Sequence, residues 1–360
     1  MTAAACFASD YTDARRRFLA AADAAGAIVW TYDHPLRGPD GEPLAMDVAW
    51  LGPADATAAL ILSSATHGVE GFCGSGCQVA AMRDGLHRSL PPGLALVLVH
   101  GHNPHGFAHL RRVTEENVDL NRNFPDFSGP LPENLGYAQV HPWLTPADWH
   151  GAGRAAADAA IADYRQAQGL TAFQAVVSKG QHDFPDGLFY GGQAPTWSRR
   201  TIERLCAERL AGLTRIALID VHTGLGPRGH GEIIAGDGPN AGNHRRARDW
   251  FGEDAKCPER GESVSAAIPN TVEKGYAQAL RRAEVTAVAL EYGTIALDDV
   301  FTALRADNWL HLHGRVASAE GREIKAMMRA AFHGEDAAWK TAVWQRAEEV
   351  IRRTIAALAG

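Results

Sequence analysis

Four short apolar runs, each ending abruptly in a polar cluster, constrain the fold of this chain more than any other feature. They are 58–64 (AALILSS), 94–99 (LALVLV), 216–221 (IALIDV) and 285–290 (VTAVAL). A continuous apolar run of this length, without polar alternation, fits a strand buried on both faces. Such a strand needs helices above and below it. Stretches with helical spacing lie at 74–90, 146–167, 198–213, 240–251 and 271–282, and from 297 to 358 the chain reads as almost wholly helical. Ser9 and Asp10 cap a first helix running to Gly26, and 27–32 and 45–51 read as opening strands. The expected fold is α/β, with a mixed, mainly parallel twisted sheet covered by helices on both faces. No repeat and no low-complexity linker divides the chain, so one domain is expected over 1–360, with a helical tail from about 297.

Composition narrows the function classes. The chain has 360 residues, 46% hydrophobic and 21% charged, which excludes intrinsic disorder. A net charge of −7 without basic runs argues against nucleic-acid and membrane partners. The five cysteines, Cys6, Cys73, Cys77, Cys206 and Cys257, are too few and too scattered for a disulfide framework. Reduced thiols suit a cytoplasmic protein. No run of eighteen apolar residues is present, and Arg15, Arg16 and Arg17 precede a stretch that Asp23 interrupts, which does not read as a signal peptide. A cytoplasmic location is expected, and self-association is left open.

In open α/β sheets the site lies beyond the carboxyl ends of the strands. The residues there are His67 and Glu70 after the first run, His100, His102 and Asn103 after the second, Asp220 and His222 at the end of the third, and Glu291 and Tyr292 after the fourth. Polar side chains at one edge of four apolar strands have no packing reason to be there. A catalytic zinc takes three protein ligands and leaves one position to water, and two histidines with a carboxylate are a common set. His67 and Glu70, three apart on a tight turn that Gly68 helps to bend, can face one site. His222 arrives from a distant strand as the third ligand. Asp220 serves as an outer acceptor for His222 or lies on the sheet rim, and Glu291 is free to act as general base. Taken singly, each of these residues reads as an ordinary strand-end side chain, and only their joint position points to a metal.

Other features are less specific. His100, His102, His105 and His109 form a second cluster without a suitably spaced carboxylate, so a second metal site is not favoured, although His102 and His105 are candidates to border the cleft. Cys73 and Cys77, one helical turn apart, suit packing against the sheet. The loop with His182, Asp183, Phe184, Asp186, Phe189 and Tyr190 reads equally as a cleft border or a surface turn, as do Arg228 and His230.

The segments HGVEG at 67–71, NPHGF at 103–107, VDLNRNF at 118–124, DVHTG at 220–224 and LEYGT at 290–294 occur in order. Together they resemble the zinc carboxypeptidases, and GQHDFPDGLFYGG at 180–192 resembles a bacterial cytosolic branch of that family. The resemblance covers about 60–300. It implies one zinc ion per chain, held by His67, Glu70 and His222, with Glu291 as the catalytic glutamate. It implies that Asn121 and Arg122 hold the substrate's free carboxylate, and that Arg111 or Arg112 polarises the scissile carbonyl, with Arg112 the better match. Tyr276 is the nearest counterpart of the family's mobile tyrosine, although the segment before Glu291 is shorter than usual. No secretion signal or propeptide is expected, and the helical tail carries no readable motif.

The implied activity is zinc-dependent hydrolysis of a peptide or amide bond next to a free carboxylate. The substrate would be a small peptide or an N-acyl amino acid. The alternatives are an N-acyl amino acid deacylase like the related aspartoacylase group, and a non-catalytic binding module, which the presence of every ligand and of Glu291 disfavours.

Overall fold

A computed structural model describes residues 2–236 and 242–360. All four apolar runs are strands: β3 (Ala58–Ser63), β4 (Leu94–His100), β5 (Arg215–Arg228) and β8 (Glu284–Gly293) follow β1 (Ile28–Arg37) and β2 (Pro43–Leu51). Two further strands, β6 (Gly231–Ile234) and β7 (Ala255–Lys256), are too short to leave a periodic signal in the sequence. The eight form one sheet in the order β1-β2-β4-β3-β5-β8-β6-β7. Its central strands β4, β3, β5 and β8 are parallel to one another, whereas β1, β2 and β6 join antiparallel. The sheet is therefore mixed, with a parallel centre.

Burial on both sides explains the unbroken apolar runs. Leu60, Leu62, Leu96, Leu98, Ala217 and Ile219 face one way, and Ala59, Ile61, Ala95, Val97, Ile216 and Leu218 face the other. The first set packs against α1 (Tyr11–Ala24), α2 (Gly71–Arg83), α8 (Asn243–Phe251) and α12 (Ala337–Ala359). The second packs against α7 (Trp197–Leu205) and α9 (Val272–Ala279). Asp10 caps α1 by accepting a hydrogen bond from the Asp13 amide. The helix expected from residue 240 starts at Asn243, and positions 240 and 241 lie outside the described residues. All five cysteines are buried and unpaired, with Cys73 and Cys77 between α2 and the sheet.

The remaining helices are α3 (Pro104–Ala108), α4 (Tyr137–Leu144), α5 (Ala152–Gln168), α6 (Leu170–Ser178), α10 (Leu297–Leu312) and α11 (Ala319–Phe332). Helices α4, α5, α6, α10 and α11 share a separate apolar cluster that includes Val69, in the turn after β3. The helical tail thus divides, with α12 on a sheet face while α10 and α11 help to cover the sheet edge where the polar strand ends lie. No helix among the described residues is long and apolar enough to cross a membrane.

Candidate metal centre

The turn that carries the first two residues of the site is built by close backbone packing. After β3 the chain passes through Ala65, in a left-handed conformation at φ 58°, into a 3-10 turn at Gly68–Glu70. The Gly68 amide donates to the Arg112 carbonyl (3.1 Å) and the Val69 amide to the Arg111 carbonyl (2.9 Å). Gly68 is required for space rather than for bending, because a Cβ there would collide with the Gly106–Phe107 backbone.

His67, Glu70 and His222 converge. His67 Nδ1 lies 2.9 Å from Glu70 Oε1, His222 Nδ1 lies 3.2 Å from Glu70 Oε2, and the two Nδ1 atoms are 3.3 Å apart. All three residues are nearly inaccessible to solvent. A tetrahedral cation with bonds of about 2.0–2.1 Å has ligand edges of roughly 3.3 Å, so the donor atoms are spaced for one. Two imidazole nitrogens facing each other at this distance can share a cation but cannot both be lone pairs without one.

Buried carboxylates surround the imidazoles. Asp119 Oδ1 is 3.1 Å from His67 Nε2, and its Oδ2 accepts from Arg112 Nε at 3.0 Å. A proton on His67 Nε2, donated to Asp119, would leave the Nδ1 lone pair for the convergence, whereas Arg112 Nη2, which can only donate and lies 2.8 Å from the same nitrogen, calls for a lone pair there. Asp220 sits beside His222 rather than on the rim, with Oδ2 2.7 Å from His222 Nε2 and with hydrogen bonds from Ser63 and Thr66. Burial works against ionisation of all three acids and is outweighed. His67 and His222 hold the Glu70 carboxyl down at about 2, Arg112 and Arg122 hold Asp119 well below the usual range, and His222 with His102 holds Asp220 down. The Glu70 carboxylate with two convergent imidazoles, and Asp119 and Asp220 behind them, form a donor set suited to a cation. Asp119 was not singled out by sequence reasoning, although its position two residues before Asn121 is the available signal.

Glu291 is His222's register partner across the parallel pair β5–β8. Its Oε1 accepts from the Leu225 amide at 2.9 Å. Burial and the neighbouring Glu70 charge push its carboxyl up to about 8, against the opposing effects of His222, the Leu225 amide and Arg112.

These residues open onto a cavity of about 220 Å³ that is also lined by Arg112, Asn121, Arg122 and Glu273. Much of its lining is apolar: Leu170, Phe173 and Val177 of α6, Leu297, Val300, Phe301 and Leu304 of α10, and Phe332. Arg112 lines it and donates from Nη1 to Glu70 at 3.2 Å. Arg122 donates from Nε and Nη2 to the Ser178 carbonyl and from Nη1 to the Asn121 carbonyl, which leaves two of its five N–H groups. Burial and the nearby Arg112 charge lower its pKa to about 10, despite Asp119. The Phe189 ring lies 5.2 Å and 5.6 Å from the guanidinium carbons of Arg112 and Arg122, so the 180–192 loop does border the cavity.

Five expected contributors lie elsewhere. Arg111 does not line this cavity: its Nε is held by Asp307 (3.2 Å) and its Nη2 by Asn117 (2.9 Å), because alternate side chains of this segment point apart. Tyr276 is fully buried in the β-sheet core and its hydroxyl is 2.9 Å from His102 Nε2, so it is an interior residue rather than a mobile one. That same contact, with Thr66 on the other nitrogen, removes His102 from the cleft border. His105 stacks on His109 instead (4.1 Å between rings). Arg228 pairs with Asp336 at the surface. Glu273, in the first turn of α9 and 4.0 Å from His222 Nε2, is a cavity residue that carried no sequence motif.

A model of the family described as "Protein of unknown function (DUF2817)" matches residues 7–346. No curated protein matches the sequence. Solved structures similar to the chain include carboxypeptidase A from Helicoverpa armigera (14% identity, 89% of this chain and 73% of that chain, TM-score 0.47). Others are bovine thrombin-activatable fibrinolysis inhibitor in complex with tick carboxypeptidase inhibitor (11%, 96% and 98%, TM-score 0.46) and succinylglutamate desuccinylase from Chromobacterium violaceum (16%, 84% and 74%, TM-score 0.38).

Proposed function

The chain belongs to the DUF2817 family, and we propose that it is a zinc-dependent hydrolase cleaving a peptide or amide bond next to a free carboxylate. The observation that carries this reading is the convergence of His67 Nδ1, His222 Nδ1 and Glu70 beside the buried carboxyl of Glu291. A zinc ion held by His67, Glu70 and His222 would supply a Lewis acid and a water with a pKa near neutrality.

The chain's own groups do the rest. Glu291, buried opposite His222 and anchored by the Leu225 amide, would in its ionised form accept a proton from the attacking water and return it to the leaving nitrogen. Arg112 keeps a positive charge next to Glu70, where the negative charge of an attacked carbonyl would develop. The two remaining N–H groups of Arg122, with Asn121 beside it, receive the substrate's carboxylate. The α6 and α10 walls take an apolar group and exclude water. Arg111 and Tyr276 are given no part in binding.

The test is to measure zinc content and hydrolysis of hippuryl-type peptides and N-acyl amino acids by the same preparation. The expected result is about one zinc per chain and chelator-sensitive cleavage of one of these classes. Less than about half an equivalent after zinc-supplemented purification, or zinc without amide hydrolysis of either class, overturns the reading. Cleavage confined to N-acyl amino acids would assign the deacylase form.

A further inference from the structure

One buried ion network connects the helical tail to the turn that carries His67 and Glu70. Asp307, in α10, is 4% exposed. Its Oδ2 accepts from Arg111 Nε at 3.2 Å, and its Oδ1 accepts from Lys325 Nζ, in α11, at 2.5 Å. Lys325 Nζ also lies 2.8 Å from His311 Nε2. The backbone next to this network holds the turn. The Val69 amide donates to the carbonyl of Arg111 itself, and the Gly68 amide donates to the carbonyl of Arg112. Arg112 then closes the circuit through its side chain, on Glu70, His67 and Asp119.

The segment that transmits this has little freedom of its own to stay in place. It is bounded by two left-handed residues, Leu110 (φ 49°) and Asn117 (φ 62°), a conformation that persists only when the surroundings fix it. Backbone bonds from Arg111 to the Gly106 carbonyl and from Asn117 to the Thr114 carbonyl hold part of it, and side chains of α10 and Arg111 itself add the rest. Arg111 Nη2 donates to Asn117 Oδ1, and Asn117 Nδ2 donates to the Pro185 and Gly187 carbonyls of the loop that bears Phe189. Asn308, next to Asp307, donates to the Asp186 carbonyl of the same loop at 2.9 Å. A buried charge network is weak evidence for stability, because desolvation offsets the attraction, and its best-attested use is to fix one arrangement among several.

We infer that Asp307, braced by Lys325, is a positioning residue for the metal turn: it fixes Arg111, and through the Arg111 and Arg112 carbonyls it sets where His67 and Glu70 stand. The inference rests on the metal-dependent reading above. It gives α10 and α11 a part in the site that no motif in the tail records.

The test measures zinc affinity by competition with a chelating dye, together with the visible spectrum of the cobalt(II)-loaded protein. It compares the unaltered chain with Asp307→Asn, Lys325→Met and Lys325→Arg, and records the melting temperature of each metal-free protein. Asp307→Asn is expected to bind zinc about 10-fold more weakly and to shift the cobalt bands. Lys325→Met is expected to fall between, and Lys325→Arg, which keeps the cation, to restore the original affinity. Unchanged zinc affinity and cobalt spectrum in a folded Asp307→Asn protein overturn the inference. Should that variant fail to fold, unchanged values in Lys325→Met do so. An unaltered chain that binds neither metal overturns the hydrolase reading and this inference with it, whereas metal binding that no variant disturbs overturns the positioning role alone.

Discussion

Glu291 stands directly opposite His222 in the parallel register of β5 and β8. Two adjacent strands thus deliver an imidazole of the convergent trio and a buried carboxyl to the same level of the sheet edge. Residues 69 positions apart in the chain become neighbours because both strands end at one edge. This fixes the first expected outcome. Glu291→Gln keeps the size and the burial of the side chain but cannot take a proton. It should retain zinc and lose about 10²- to 10⁴-fold in turnover. Zinc analysis with steady-state kinetics checks this, and unaltered turnover would remove Glu291 from its role.

Asp119 fixes the orientation of the His67 ring. Asp119→Asn should weaken zinc binding by about 10- to 100-fold, since the amide no longer favours His67 with its proton on Nε2. Competition with a chelator measures it, and an affinity equal to that of the unaltered chain would contradict the outer-ligand role.

Arg122 has two duties that kinetics can separate. Its bonds to the Ser178 carbonyl tie the end of α6 to the site, while the residue also lines the cavity and keeps two N–H groups outside its carbonyl bonds. Arg122→Ala should therefore lower the melting temperature and also raise KM for carboxylate-bearing substrates more than for their amidated analogues. Equal losses for both substrate types would leave only the structural duty.

The apolar walls predict a side-group preference. The residues that α6 and α10 turn to the cavity are mainly leucine, valine and phenylalanine, and Arg165 beside them is paired with Asp298, so an acidic side group meets no unpaired cation on these two walls among the described residues. Substrates with leucine or phenylalanine beside the scissile bond should exceed their aspartate counterparts about 10- to 200-fold in kcat/KM. A series differing only in that side chain checks it, and aspartate equal to leucine would count against the walls as the binding surface.

Asp307 should leave a signature in acid. Burial disfavours its ionised form, but Lys325, Arg111 and His311 outweigh burial and hold its pKa below the ordinary carboxylate range. A depressed folded-state pKa contributes stability that is fully present above the unfolded value of about 3.9 and is lost as the pH falls through the lower folded value. The stability gap between the unaltered chain and Asp307→Asn should therefore be widest above about pH 5 and should close on acidification. Denaturant titrations at several pH values measure it, and a gap that stays constant down to pH 3 would contradict the assignment.

The parallel centre of the sheet and the residues that converge at its edge were legible in the linear order of residues. Burial on both faces forces unbroken apolar runs, and an unbroken run makes the polar residue that ends it conspicuous; His67, Glu70, His222 and Glu291 are visible for that reason. Strands β6 and β7 were not legible, since four and two residues are too few to establish a period.

What the order of residues left undecided was settled by side-chain direction and by contacts across long separations. Arg111 and Arg112 are chemically alike and adjacent, and only the fold turns one toward Asp307 and the other toward Glu70. Tyr276 has the right chemistry for a substrate-facing hydroxyl, yet α9 packs its ring into the core, where His102 meets it. Asp307 and Lys325 sit in helices whose spacing records amphipathic packing and nothing of the turn they brace. Periodicity reports which face of an element is buried, but a hydrogen bond between residues nearly two hundred positions apart leaves no trace in either local pattern, so the partners of Arg111 could be read only from the folded chain.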